Sequence, residues 1–318
     1  MIPRRTLGKT TLEVSALGLG TTEIGFVYGI GPRTLPEDKE AIALLQRAVE
    51  CGITFIDTAN YYGVAEERIA SSNIAKKKGV VIATKCGHVL DTSERITDDE
   101  IVKQLRTEVE HSLKTLRMET IDLVQIHGGT AEQIRSGVLT HVMMELRKEG
   151  KLRFIGISTR GLEAPLAAIA DGNFDTLQLA HSILDQRMVQ NVFAAATEKN
   201  IGIINRSVLL KGALTPARTH LAPSLTPLKR AADAAQKIAD EVGCTLPELA
   251  VRFAIADNRI ASALIGSSKM EHIESAVRAA EQEPLSEDIL QRLRMLAVAD
   301  ERQVDPKFWD TKYISDVK

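Results

Sequence analysis

Short apolar runs alternate along the chain with longer stretches in which apolar residues recur every three or four positions. That is the pattern of buried strands separated by amphipathic helices. The opening segment, Arg5 to Gly18, carries two short alternating runs around Gly8-Lys9, which predicts a β-hairpin. The runs Val14–Leu19, Ile53–Ile56, Val80–Ala83, Ile121–Ile126, Phe154–Ile157, Thr176–Leu179, Ile201–Ile204 and Ala261–Leu264 predict strands. Helical spacing follows them over Pro36–Cys51, Ala65–Lys77, Ile101–Leu116, Ala131–Lys148, Leu162–Ala170, Met188–Lys199, Ala231–Val242, Pro247–Ala256 and Met270–Ala280. Thr97 and Glu100 have capping-box spacing ahead of the third helix. A Pro-containing loop runs to Pro227, and a further helix over Ser286–Ala297 precedes a polar tail. Strands each followed by a helix imply a parallel sheet covered by helices. Eight such steps favour a closed (β/α)8 barrel over an open doubly wound sheet. No linker or low-complexity tract divides the chain. One barrel domain over residues 1–318 is therefore expected, with an N-terminal β-hairpin and a C-terminal extra helix and tail. In such barrels chemistry sits where strands end.

Composition narrows the class without changing the fold. With 44% apolar residues in 318, the chain can bury a core, which excludes disorder as the main state. A formal net charge of −2 argues against a nucleic-acid binder that works by bulk charge. No uninterrupted apolar stretch approaches the roughly 18 residues of a membrane span. The start MIPRRTLGKT lacks the apolar region of a secretory signal, so none is expected. Cys51, Cys86 and Cys244 are odd in number and far apart, which fits a reducing, cytoplasmic location. They lack zinc-site spacing, so no metal is expected.

The strand ends carry the candidate chemistry. FIDTANYYG places Asp57 at a strand end, with Tyr62 five residues on. VIATKCG places Lys85, and LVQIHGG places His127, at the exits of the next two strands. Taken singly, each has a bland explanation: a turn-forming Asp, a structural His, a buried Lys–Asp salt bridge. Four ionisable groups leaving three neighbouring strands at one face favour function.

These segments, D-T-A-x-x-Y-G, then T-K, then Q-x-H, resemble the aldo-keto reductases. The resemblance covers nearly the whole chain and includes RTLGKTTLEVSALGLGT, GKLRFIGIS at 150 to 158 and GSSKMEHIE at 266 to 274. It implies a barrel oxidoreductase that interconverts a carbonyl and an alcohol with a nicotinamide cofactor. Tyr62 would be the general acid. A free tyrosine ionises near pH 10, a poor match for proton transfer at neutrality, and a neighbouring ammonium favours the tyrosinate. Lys85 would supply that ammonium and Asp57 would hold it charged. His127 would donate a hydrogen bond to the carbonyl oxygen, completing an oxyanion site.

The glycines of GLGTTEIG (Gly18, Gly20, Gly25) lack dinucleotide-fingerprint spacing. The resemblance places the cofactor on barrel loops instead. It implies that Ser158, Thr159 and Gln178 hold the carboxamide, with Thr159 where the family has Asn. Arg206 stands where a Tyr usually stacks on the nicotinamide; a planar guanidinium can also stack. Ser207, Leu209, Lys211 and Gly212 match the pyrophosphate loop. Gly266, Ser267 and Ser268 precede a helix whose first amides form an anion site. Ser267 and Lys269 point to NADP through its 2′-phosphate. His272 takes a polar family position, while Ser275 and Ala276 replace a Glu-Asn pair expected at adenine.

The substrate expected is a small carbonyl compound: an aldehyde, a ketone or a sugar-like molecule. Phe26 and Tyr28 are candidate pocket walls, His88, His181 and Arg206 candidate polar contacts, and the tail with Phe308, Trp309 and Tyr313 is expected to fold over the pocket. Two other classes fit parts of the pattern. One is a Schiff-base barrel enzyme using Lys85. The other is a non-catalytic, NADP-binding auxiliary module. Serine hydrolysis fits poorly, because Gly156-Ile-Ser158-Thr-Arg160 lacks the second Gly of a nucleophile elbow.

Overall fold

The structure is a computed structural model that describes residues 1–92 and 96–309. Strands β1 (Arg4–Thr6) and β2 (Glu13–Ser15) pair antiparallel as the hairpin. The barrel strands follow: β3 (Leu17–Gly20), β4 (Phe55–Asp57), β5 (Val81–Cys86), β6 (Ile121–His127), β7 (Leu152–Ser158), β8 (Thr176–Ala180), β9 (Gly202–Arg206) and β10 (Ile260–Ile265). They close in sequence order, with β10 returning to β3. All barrel pairings are parallel. The apolar run Val14–Leu19 is thus split, because Val14 belongs to the hairpin and Leu17 onward to the barrel.

Alternation within the strands sorts side chains into two cores. Phe55, Val81, Ala83, Leu123, Ile204 and Leu264 point into the barrel, where they meet Leu7, Leu12 and Val14 of the hairpin. The hairpin therefore plugs one end with apolar side chains. The intervening residues, such as Ile56, Ile82, Val124 and Ile203, pack outward against the helices. Continuing the inward series toward the strand ends gives Asp57 after Phe55, Lys85 after Ala83, and Gln125 and His127 after Leu123. The barrel is apolar below and polar above.

Several helix boundaries differ from the periodic pattern, and backbone signals explain them. The stretch Ala65–Lys77 breaks after Ser72, where Asn73 takes a left-handed conformation and a short 3-10 turn follows. Ala131–Lys148 is two helices, Ala131–Arg135 and Val138–Lys148, divided at Gly137 with φ 79°. The helix read as beginning at Ala231 begins at Thr226, with Pro227 in its first turn, where no amide is needed. The capping box of Thr97 and Glu100 forms on helix Asp98–Leu116. The extra helix spans Glu287–Arg294. The tail read as merely polar contains a helical turn at Glu301–Val304 and a 3-10 turn at Pro306–Phe308. No helix among the described residues is long and apolar enough to cross a membrane.

Candidate active site

Register brings the strand-end groups together. Asp57 and Lys85 exit adjacent strands, and Lys85 lies beside Gln125 across the β5–β6 pair. Inside the barrel the Lys85 ammonium donates to Asp57 Oδ2 at 2.6 Å, to the Thr58 carbonyl at 2.9 Å and to Tyr62 Oη at 3.4 Å. Lys85 is 1% exposed and Asp57 3%. A buried charge persists only when paired and hydrogen-bonded, and this one has both. Burial pulls the Lys85 pKa down, but Asp57 and Tyr62 outweigh it and hold the ammonium above its ordinary range. Asp57 is fixed in turn, since its Oδ1 accepts from Gln125 at 2.9 Å and from Gln178 at 2.7 Å. The Gln178 amide nitrogen also donates to Gln125 Oε1 at 3.2 Å, while Ser158 Oγ donates to Gln178 Oε1 at 3.3 Å. Gln178 thus buttresses the Asp57 carboxylate from strand β8.

Tyr62 follows β4 in a tight turn, with its amide donating to the Ala59 carbonyl. Gly25 makes the approach possible: a Cβ there would lie 2.0 Å from the Tyr62 carbonyl oxygen. The loop after β3 consequently lies directly against Tyr62. Phe26 meets Tyr62, Tyr28 and Tyr61 edge-on at centroid distances of 5.9, 5.9 and 6.4 Å. His127 stands edge-on to Tyr62 at 5.9 Å and 4.9 Å from His88, which stacks on Tyr61 at 3.6 Å. Burial, then Lys85, His88, Arg160 and Arg206, hold the His127 pKa well below its ordinary value. His127 is therefore a neutral imidazole with one N–H to donate. Burial, then Tyr62, pushes Tyr28 up to about 12. It remains a neutral phenol with the Lys211 ammonium 4.9 Å from its ring centre.

The other sequence-selected residues lie around this mouth. Thr159 follows Ser158, and its Oγ1 is buried with no hydrogen-bond partner among the described residues. The Arg206 guanidinium donates to the Thr159 carbonyl at 3.1 Å and to Ser207 Oγ at 3.2 Å. Burial and the neighbouring Arg160 lower its pKa. Beyond it, Ser207, Leu210 and Lys211 all have positive φ, at 66°, 45° and 53°. Such conformations cost energy outside glycine and cluster where a loop clamps a ligand. Leu209 and Gly212 complete the turn, the Gly212 amide donating to the Leu209 carbonyl at 2.9 Å. Across the barrel, Gly266 follows β10 and abuts the Gly20 carbonyl. Ser267 Oγ accepts from the Lys269 amide at 3.0 Å and lies 2.9 Å from His272 Nδ1. Burial, then Lys269, lowers the His272 pKa. Helix Met270–Ala280 has no side chain capping its first amides. The Ser268 amide faces the Glu23 carboxylate. Ser275 turns away to Glu248 at 2.6 Å.

Two expectations meet a different arrangement. His181 does not face the mouth: it is buried between Phe193 and Phe253, and burial pushes its pKa down to about 4. The tail reaches the mouth with residues other than its aromatics. Val304, Asp305 and Pro306 border a cleft shared with Arg160, Asp185 and Arg206. Asp305 accepts from Arg160 at 2.9 Å. Trp309 packs into the outer core and donates to the Gln303 carbonyl, Phe308 is exposed, and Tyr313 lies outside the described residues. Three groups were not singled out from sequence. Gln125 lies in the Q-x-H segment and shares the inward alternation of His127. Glu23 and Arg33, in the loop after β3, carry no periodic signal.

The Aldo/keto reductase family sequence model matches residues 16–297. The chain is 30% identical over 309 residues to the L-galactose dehydrogenase of Arabidopsis thaliana, covering 90% of this chain and 93% of that protein. It is 27% identical over 303 residues to an NADH-specific methylglyoxal reductase of Escherichia coli (strain K12), covering 86% and 92% respectively. An aldo-keto reductase from Bacillus halodurans in its holo form superposes with a TM-score of 0.77 at 24% identity, covering 96% of this chain and all of that one.

Proposed function

Because this chain belongs to the aldo/keto reductase family, we propose that it is an NADP(H)-dependent oxidoreductase acting on a polar, sugar-like carbonyl or alcohol, with Tyr62 as the acid–base. The observation carrying this reading is the chain of contacts from Asp57 through Lys85 to Tyr62 beside a neutral His127. When bound, the nicotinamide supplies or accepts the hydride at the substrate carbon. This chain handles the proton and the oxygen. Tyr62 Oη gives its proton to the carbonyl oxygen during reduction and takes one from the hydroxyl during oxidation. Lys85 donates a hydrogen bond to that same Oη, so the tyrosinate forms next to a fixed positive charge. Asp57, braced by Gln125 and Gln178, keeps the ammonium charged and aimed. The His127 N–H steadies the oxygen from a second direction, and both donors are in place before charge develops. Phe26 packs edge-on against Tyr62, with Tyr61 and His88 stacked beside it.

The residues present fit a nicotinamide dinucleotide. The Thr159 hydroxyl, unpartnered among the described residues, the strained turn from Ser207 to Lys211 and the uncapped start of helix Met270–Ala280 lie around one mouth. Ser158, Thr159 and Gln178 would hold the carboxamide and Arg206 the ring. Ser207, Leu209, Lys211 and Gly212 would hold the pyrophosphate, and Ser267 with Lys269 and His272 the 2′-phosphate. The likeness to L-galactose dehydrogenase supports a sugar-like substrate. The likeness to an NADH-specific relative makes cofactor choice a property to measure. A Schiff base on Lys85 would need a neutral amine, and Asp57 holds this one charged. Retention of all four mouth groups disfavours an auxiliary module.

The test is absorbance at 340 nm across a panel of aldoses, short aldehydes and ketones with each reduced cofactor, and of sugars with each oxidised one. Turnover with NADPH or NADP+ exceeding that with the other pair supports the full proposal. Turnover with NADH alone overturns the 2′-phosphate assignment, and no turnover with any pair overturns the oxidoreductase reading.

A further inference from the structure

The loop after β3 puts an acid where an anion is expected to bind. Glu23 lies in the 3-10 turn Thr22–Ile24. Its side chain is only 19% exposed, and its carboxylate faces the Ser268 amide just ahead of helix Met270–Ala280. A Cβ on Gly266 would lie 3.6 Å from Glu23 Oε1, so the carboxyl is held against the Gly266–Ser268 turn. The Arg33 guanidinium stands 3.9 Å away, beyond direct hydrogen-bonding distance. The catalytic set does not use Glu23, and a negative charge at amides suited to a phosphate opposes that phosphate.

Resting on the cofactor reading above, we propose that Glu23 is a built-in competitor for the dinucleotide phosphate, occupying the Ser268 amide until the cofactor takes it. A phosphate and a carboxylate cannot share that amide, so the Glu23 side chain must lose either its charge or its place. Losing the charge is the easier course here. Burial pushes the Glu23 pKa up to about 7, despite Arg33 and the Ser268 amide, which pull it down. Among the described residues, ionised groups around it are few. Arg33 faces it from its own loop, and Tyr28, a neutral phenol, faces it from the same loop. From the helix start, Lys269, Glu271 and His272 share the Arg33 side of the cradle. Cofactor binding therefore takes up a proton at Glu23, and affinity falls as pH rises through 7. Glu23 is a specificity and positioning residue for the phosphate, not a catalytic one.

The experiment is a fluorescence titration of the full chain and of Glu23→Gln with NADH and, separately, NADPH at pH 6.0 and 8.5. Wild-type affinity is expected to weaken by at least tenfold across that range. The limit is roughly thirtyfold for one group titrating near 7 that must be neutral. Glu23→Gln should change by about threefold or less and bind more tightly than wild type at pH 8.5. A shift with both cofactors would identify the pyrophosphate as the competing group, and a shift with NADPH alone the 2′-phosphate. That phosphate itself titrates near pH 6, so the NADPH arm is read as the difference between wild type and variant. Calorimetry of the wild type at pH 8.0 in two buffers of different ionisation enthalpy should show uptake of roughly 0.9 proton per cofactor. His272, held below its ordinary pKa, adds little there. Glu23→Gln tracking the wild type within about twofold, or no proton uptake by the wild type, would overturn the role of Glu23 while the cofactor reading stands. Binding of neither cofactor at either pH would overturn both.

Discussion

Replacing Asp57 with Asn tests the centre of the site, because the change nearly conserves shape and removes only the charge. The substituted amide can still accept from Gln125 and Gln178 through its oxygen. Its NH2 would then face the Lys85 ammonium, donor against donor, where a carboxylate oxygen now lies at 2.6 Å. Lys85 would be a 1% exposed cation with only the Thr58 carbonyl and Tyr62 hydroxyl left. Removing one partner of a buried pair costs about 3–5 kcal/mol. The retained glutamine contacts place this case near 3, a fall in melting midpoint of roughly 4–5 °C for a chain of this length. The pH dependence has a definite sign. In the wild type the raised Lys85 pKa contributes stability below the ordinary 10.5, lost as pH rises through the folded value. Without Asp57, burial prevails and the folded pKa falls below the ordinary value. The variant's deficit is then largest near neutrality and shrinks toward about pH 10. The double variant Asp57→Asn/Lys85→Met should regain most of the stability, since no charge is stranded. On the function proposed, both variants should lose about 10²–10⁴-fold in turnover. Thermal melts from pH 6 to 10 and steady-state reduction of an aldehyde read the two effects separately. A single variant within about 1 kcal/mol of wild type, or a double variant less stable than the single, would refute the buried-pair argument.

Other outcomes follow from the same geometry. Tyr62→Phe should lower kcat by about 10²–10⁴-fold with little change in cofactor affinity, checked by steady-state kinetics beside a fluorescence titration. Lys269→Met should raise the KM for NADPH several-fold and leave that for NADH nearly unchanged; equal effects on both would remove Lys269 from the 2′-phosphate site. Glu23→Gln should stabilise the cofactor-free protein. Its folded pKa of about 7 lies above the ordinary 4.5, so the carboxylate's penalty grows between those values and is complete above them. The gain is on the order of 2–3 kcal/mol at pH 8 and vanishes near pH 4, read from denaturant midpoints at the two pH values. Removing residues 306–318 should change the KM of at least one substrate, because Pro306 borders the cleft at Arg206; unchanged KM values across the panel would confine the tail to packing.

Features set by local order are legible along the chain. The hairpin, the alternation of strands and helices and the count of eight steps follow from short-range periodicity, and that count favours a closed barrel. Placing Asp57, Lys85 and His127 at strand exits needed only the strand boundaries, and Tyr62 came with the D-T-A-x-x-Y-G segment. Helix breaks at Asn73 and Gly137 were harder to read, because one left-handed residue leaves the apolar spacing on either side intact. Other features arise from neighbours far apart in the chain and emerge only on folding. His181 comes one residue after a strand that ends at Ala180, whereas His127 is the last residue of its strand, and His181 faces the outer helices, since a one-residue difference in parity reverses a side chain. Gln125 and Gln178 became braces for Asp57 through barrel closure and register, 68 and 121 residues away from it. Glu23 is an ordinary loop acid in the sequence. Its burial against Ser268 exists only because β10 returns to pair with β3. Electrostatic consequences of that kind arise from contacts made by closure, which no local pattern encodes.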